Sequence, residues 1–160
     1  MLFMINIGGS TEKSNIEVHD ILFVSAQSFE STYEIIKNAW YGTKDSLHID
    51  SYKVLKEIDG FNLELLDKTT LLRVYLVIYG GYSEGDFGES HKIHFVAAKS
   101  MFEAKSKANE DMSNFLEMDH IDNVCDVQSV LLGDKTIITL SKADSIFNEQ
   151  ADWHGYIKLN

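Results

Sequence analysis

A chain of 160 residues with 44% hydrophobic and 24% charged side chains is long enough to bury a real core, and its composition is globular rather than disordered. A net charge of −11, from 25 acidic against 14 basic residues, repels phosphate backbones and anionic bilayers, so neither nucleic acid nor a membrane is an expected partner. A single cysteine, Cys125, excludes an intramolecular disulfide and a cysteine-rich metal centre. With no basic, signal-like start and no stretch near the ~20 apolar residues of a membrane span, a soluble cytoplasmic protein is expected.

Leu2–Ile7 is apolar on both faces, as a central strand is, and Gly8-Gly9 closes it where positive φ or a close backbone approach is easiest. His19–Ala26 reads as a second strand that places Glu17, His19, Ile21 and Phe23 on one face. Ser28 then stands at an N-cap, and Phe29, Tyr33, Ile36 and Trp40 form a helical stripe that Gly42 stops at the C′ position. Ile49–Ile58 and Phe61–Leu66 flank Asp59-Gly60, a two-residue hairpin signal.

The same order then returns at an offset of 72, with Gly8 falling on Gly80. Residues 8–28 set over 80–100 without a gap are identical at ten of 21 positions, where unrelated segments share roughly one or two. Glu12/Glu84, Glu17/Glu89 and His19/His91 are among them, and His48-Ile49-Asp50 falls on His120-Ile121-Asp122. Val74–Tyr79 and His91–Ala98 are the repeated strands. Ser100 with Glu103 makes a capping box before the stripe Ala104, Ala108, Met112 and Phe115, and Val124–Leu132 with Thr136–Leu140 repeats the hairpin around Gly133-Asp134.

These elements predict an α+β fold, a tandem duplication of a β-β-α-β-β unit with largely antiparallel sheets, one main helix per copy and a pseudo-twofold relation. Residues 1–66 form the first repeat, 67–73 a short link, 74–140 the second repeat and 141–160 an extension, together one compact unit. The extension has no counterpart in the first copy, and its end, Trp153 to Leu159, reads as a last strand that covers something.

The strand-Gly-Gly-x-x-Glu opening, the Glu-x-His-x-Ile-x-Phe strand, the Ser-capped helix and the Leu47-His48-Ile49-Asp50 segment resemble the domain of unknown function 1543. That is a family of uncharacterised bacterial proteins with one or two copies of the domain. The resemblance covers nearly the whole chain except the tail. The second copy departs from the first at Asp119, where Leu47 stands, and at Met112, where Trp40 stands. The resemblance implies two copies and brings no activity, ligand or catalytic residue with it.

The residues themselves offer several candidates. A carboxylate two positions before a histidine can orient its ring, as acid–base chemistry or metal ligation requires, which makes Glu17, His19, Glu89 and His91 catalytic candidates. The plain alternative is a histidine at a strand start bonded to a neighbouring loop. His48, Asp50, His120 and Asp122 are binding candidates, although an aspartate there also caps turns. Glu12 and Glu84 accompany glycine loops that match no phosphate-binding pattern. Without His-x-His or His-x-x-x-His spacing no metal site is predicted, and no cofactor is expected. Cys125 sits in a strand pattern as a structural thiol. The expected function is a non-enzymatic module binding a small molecule or protein at two quasi-equivalent sites, with self-association left open. The alternatives are a small acid–base or metal-assisted enzyme using both Glu-x-His pairs, and an acidic inhibitor or immunity-type partner.

Overall fold

In the computed structural model, described over residues 1–66, 70–85, 87–111, 117–134, 136–143 and 150–159, the chain forms two compact units. Unit 1 consists of Met1–Lys56, Val130–Thr136 and Asn148–Asn160, and unit 2 of Glu57–Ser129 and Ile137–Phe147. The borders of these units fall inside residues 1–66 and 74–140 rather than between them. Met112 and Phe115 of the second helical stripe, and residues 67–69 and 144–149, lie outside the described residues. No described helix is long and apolar enough to cross a membrane.

Unit 1 is built around β1 (Leu2–Gly9), which pairs antiparallel with β2 (Val18–Ser25) on one side and β3 (His48–Val54) on the other. Its central place explains its apolarity on both faces. Phe3, Ile5 and Ile7 point to one face, where they form a core with Val24, Ile49 and Ile36 and Trp40, the last two from helix α1 (Tyr33–Ala39) and its C-cap. Ser28 and Ser31 bond reciprocally at the start of the preceding 3-10 turn, with Ser31 N donating to Ser28 Oγ at 3.3 Å and Ser28 N to Ser31 Oγ at 3.0 Å. Trp40 is already extended, with ψ 129°, so Gly42 is not a left-handed C′ residue. It is glycine for space: a Cβ there would stand 2.5 Å from the Trp40 ring and 2.6 Å from the carbonyl of Ser10.

Unit 2 repeats this pairing with β6 (Arg73–Tyr82) between β7 (Ser90–Ala98) and β8 (Glu117–Asp126). Tyr75, Val77 and Tyr79 face α2 (Met101–Asp111), and Tyr79 donates its hydroxyl to the Ala108 carbonyl at 3.1 Å. The capping box is present: Glu103 N donates to Ser100 Oγ at 3.2 Å, and Glu103 Oε2 accepts from Lys99 N at 3.0 Å.

The hairpins depart from expectation. Only β4 (Glu57–Ile58) turns back on β5 (Phe61–Leu66), with Asp59 and Gly60 at φ 45° and 74°, as a primed two-residue turn demands. Val124–Leu132 and Thr136–Leu140 form no such hairpin. Asp126 ends β8 by accepting from Gln128 N at 3.1 Å, a side-chain turn that stops the ladder. Beyond it, β9 (Leu132–Gly133) joins β2 in parallel within unit 1, and β10 (Ile137–Lys142) pairs with β5 within unit 2. Finally β11 (Trp153–Lys158) pairs antiparallel with β3, giving unit 1 a sheet of order β11-β3-β1-β2-β9. The fold is mixed α+β with every strand pair antiparallel except β2–β9 among the described residues.

Candidate functional site

Strand alternation sends Gly8 to the face of β1 opposite Phe3, Ile5 and Ile7. Gly8 is paired with His19 on β2 and with His48 on β3, so the two histidines flank it on the same face. Neither Gly8 nor Gly9 has positive φ; they continue the strand, and of the two uses expected of them it is the close approach that they serve. Gly8 is small because the histidines converge above it: a Cβ would meet His48 Nε2 at 2.7 Å and His19 Nε2 at 3.0 Å. Gly9, on the other face, is held against Trp40 and Ser46.

Two carboxylates complete the group. Glu17, two residues before His19, has Oε1 3.4 Å from His48 Nε2 and Oε2 3.8 Å from His19 Nε2. Asp50, two residues after His48, has Oδ1 3.3 Å from His48 Nε2 and Oδ2 3.5 Å from His19 Nε2. Between Ser51↔Asn6 and Ile49↔Ile7 the register of β3 slips by one, and Asp50 is the extra residue. This β-bulge re-aims its carboxylate toward the histidines, a use bulges commonly serve beside sites.

Ser46 and Tyr156 hold His48 from two sides. Its Nδ1 donates to the Ser46 carbonyl at 2.9 Å, since a carbonyl only accepts, which leaves Nε2 turned into the group. The Tyr156 ring on β11 stacks on it at 4.3 Å with a 25° tilt. His48 is consequently 1% exposed, whereas His19 is half exposed. Asp50 Oδ2 is buried with no hydrogen-bond partner.

Unit 2 contains the same arrangement. Gly80 pairs with His91 on β7 and His120 on β8, and a Cβ on it would meet Glu89 Oε1 at 2.7 Å and Asp122 Oδ2 at 2.8 Å. Between Ile78↔Asn123 and Tyr79↔Ile121 the register slips again, with Asp122 as the bulged residue. Asp122 lies 2.8 Å from Nε2 of both His91 and His120, and Glu89 lies 3.5 and 3.2 Å from them.

The sequence-predicted residues Glu17, His19, His48 and Asp50 thus form one quartet, and Glu89, His91, His120 and Asp122 another, each inside one unit. Glu17, His19 and His48 each offer a ligand atom within 4.8 Å of the others, as do Glu89, His120 and Asp122. Glu12 and Glu84 lie in exposed turns and outside these groups. Sequence reasoning missed Gly8 and Gly80 as the floor, Ser46 and Tyr156 as supports of His48, and both bulges. A separate concavity of unit 2, about 350 Å³ and lined by Leu72, Arg73, Val74 and Gln128, has its one guanidinium bound to Asp126 at 2.7 Å.

Comparison with known proteins places the chain. Residues 14–65 match the family model described as Domain of Unknown Function (DUF1543). The crystal structure of a protein Il1583 from Idiomarina loihiensis is similar along 99% of this chain and 97% of that one, at 31% identity and a TM-score of 0.77. The chain belongs to the DUF1543 family. No curated protein matches it. The DUF1543 match spans the second strand, the first helix and the hairpin, and so takes in the whole first quartet from Glu17 to Asp50.

Proposed function

We propose that the protein is a binding module made of two tandem copies of one unit, each carrying one site for a divalent transition metal in its His₂–carboxylate₂ quartet. The observation that carries this reading is the spacing in unit 1. Ligand atoms about 2.0–2.1 Å from a tetrahedral ion are about 3.3–3.4 Å from one another. Glu17 stands 3.4 and 3.8 Å from the two Nε2 atoms, too long for good N–H···O bonds and suited to a shared cation, and Glu17, His19 and His48 are the three whose ligand atoms lie within 4.8 Å of one another, with Asp50 beside the histidines at 3.3 and 3.5 Å. With His48 Nδ1 committed to Ser46, a neutral ring aims its lone pair at the carboxylates, a repulsive arrangement unless a positive charge enters. Imidazole and carboxylate together suit zinc, iron, nickel or manganese. The metal-ligand spacing sought along the sequence is absent because the ligands come from β2 and β3, the strands on either side of β1.

A second reading, a metal-assisted enzyme, is favoured by one feature. His19 and His91 are 50% and 51% exposed, so a bound ion would keep a face open to water or substrate. Each quartet would then act inside its own unit. The net charge remains the only support for an inhibitor-type role.

The test is zinc titration of the chelator-stripped protein. Two ions per chain are expected, falling to none in a variant carrying His19→Ala and His91→Ala. Wild-type protein that takes up no zinc, cobalt or manganese sinks the metal reading.

A further inference from the structure

On the reading that the unit 1 quartet takes a divalent metal, we propose that Tyr156 is a positioning residue of that site. By clamping the His48 ring it sets how tightly the site holds its ion.

Tyr156 lies outside residues 14–65, the segment that matches the family model, and reaches the site through β11. That strand is anchored on β3 at both ends. At one end Asp152 N donates to the Tyr52 carbonyl at 3.0 Å, and Asp152 Oδ2 accepts from Val54 N at 2.8 Å. The Trp153 ring stacks on Tyr52 beside them, with 6.2 Å between centroids and 19° between planes. At the other end Lys158 is the cross-strand partner of His48, and Leu159 N donates to the Leu47 carbonyl at 2.9 Å. Between the anchors, from His154↔Ser51 to Ile157↔Ile49, β11 carries one residue more than β3. This bulge brings Tyr156 onto the His48 ring. Gly155 makes the bend feasible, since a Cβ there would stand 2.6 Å from the Trp153 ring.

Two contacts then fix one imidazole. The Nδ1–Ser46 bond sets its tautomer and holds one edge, while the Tyr156 ring covers its face and opposes a flip about the second side-chain torsion. Nε2 is left pointing at Glu17 and Asp50, 3.4 and 3.3 Å away. Orienting this ligand before an ion arrives removes its ordering cost from binding. Simple core packing is a poor account of the same contact. Tyr156 stays 64% exposed, so its ring gains little burial for itself; what it does is cover His48.

The experiment is a zinc competition titration of the full, chelator-stripped chain carrying His91→Ala, which silences the unit 2 quartet so that unit 1 is read alone. In that background Tyr156→Ala should weaken zinc binding by roughly tenfold, the usual effect of losing an outer support of a ligand. Tyr156→Phe keeps the ring and should bind as the parent does. Tyr156→Leu keeps bulk without a flat face and should weaken binding as alanine does; it carries the test should the alanine variant fail to fold. With cobalt in place of zinc, the visible absorption of the ion should change in the alanine variant and return in the phenylalanine one. A loss of stability alone does not produce that signature. Alanine and leucine variants that hold zinc like the parent, or a phenylalanine variant as weak as alanine, would overturn the role of Tyr156 while leaving the metal site standing. No zinc uptake by the His91→Ala parent removes the metal reading of unit 1 and this inference together.

Discussion

Gly8 and His48 are cross-strand partners, and a methyl group on the glycine would sit 2.7 Å from the imidazole Nε2. The space above the glycine is the space the four polar side chains share. Gly8→Ala should therefore cost the first quartet at least about tenfold in zinc affinity while the fold persists, because the atoms displaced are ends of side chains. Gly80→Ala should do the same to the second quartet, where Glu89 and Asp122 are the atoms displaced. Zinc content after dialysis against a buffered ion reads both, and circular dichroism checks the fold.

Without metal, the two equivalent histidines should differ in their contribution to stability. His48→Ala removes a fully buried ring, its stack on Tyr156 and the donor to Ser46, and should cost about 2 kcal/mol. His120→Ala changes a half-exposed side chain whose contacts to Asp122 and Glu89 are partly in water, and should cost less, about 1 kcal/mol. Urea denaturation in the presence of a chelator measures the difference; equal costs would contradict the asymmetry of the two units.

Alkaline pH should destabilise the protein through Tyr75. Burial raises its pKa above the ordinary 10.0, the nearby Asp126 carboxylate adds to the rise, and Arg73 opposes it. The folded state thus holds the proton more tightly than the unfolded chain. That contribution is complete below about pH 10 and is lost as pH climbs through the raised value. Tyr33 and Tyr41 shift the same way, again chiefly by burial. Tyr75→Phe should flatten the fall in stability between roughly pH 9 and 11 without abolishing it.

Two glycines with similar positive φ should respond differently to alanine. Gly60, at φ 74°, has nothing within 4 Å of an added Cβ, so only the backbone preference is lost, about 1 kcal/mol. At Gly133, φ 88°, the Cβ would fall onto the Ser25 carbonyl oxygen, a backbone atom in the β2–β9 contact. About 3 kcal/mol or more is expected there, and thermal melts of the two variants compare them directly.

The members of both quartets were legible in the sequence, because Glu17, His19, His48 and Asp50 recur at one offset with a strand period that puts each pair on one face. Their convergence was not. It depends on Gly8 lying between His19 and His48 across two ladders, and on a one-residue slip at Asp50, both of which are long-range pairing facts. Central strands and the Ser100–Glu103 cap were legible because they rest on local patterning. The second hairpin was misread because Gly133-Asp134 has local turn chemistry. Its flanking strands nevertheless find distant partners: β9 pairs with β2, and β10 with β5. For the same reason the extension could be read as a covering strand but not as a strand covering His48.

The pairing of β1 and β11 on opposite sides of β3 also has a mechanical consequence. Strand β1 begins at Leu2, whose carbonyl accepts from Leu55 N beyond the far end of β3, and β11 ends at Lys158, opposite His48 at the near end. Tension between these points runs along the strands and loads both ladders of β3 in shear. Their hydrogen bonds must then break together rather than unzip in turn, so the strand that carries His48 and Asp50 acts as a clamp against pulling.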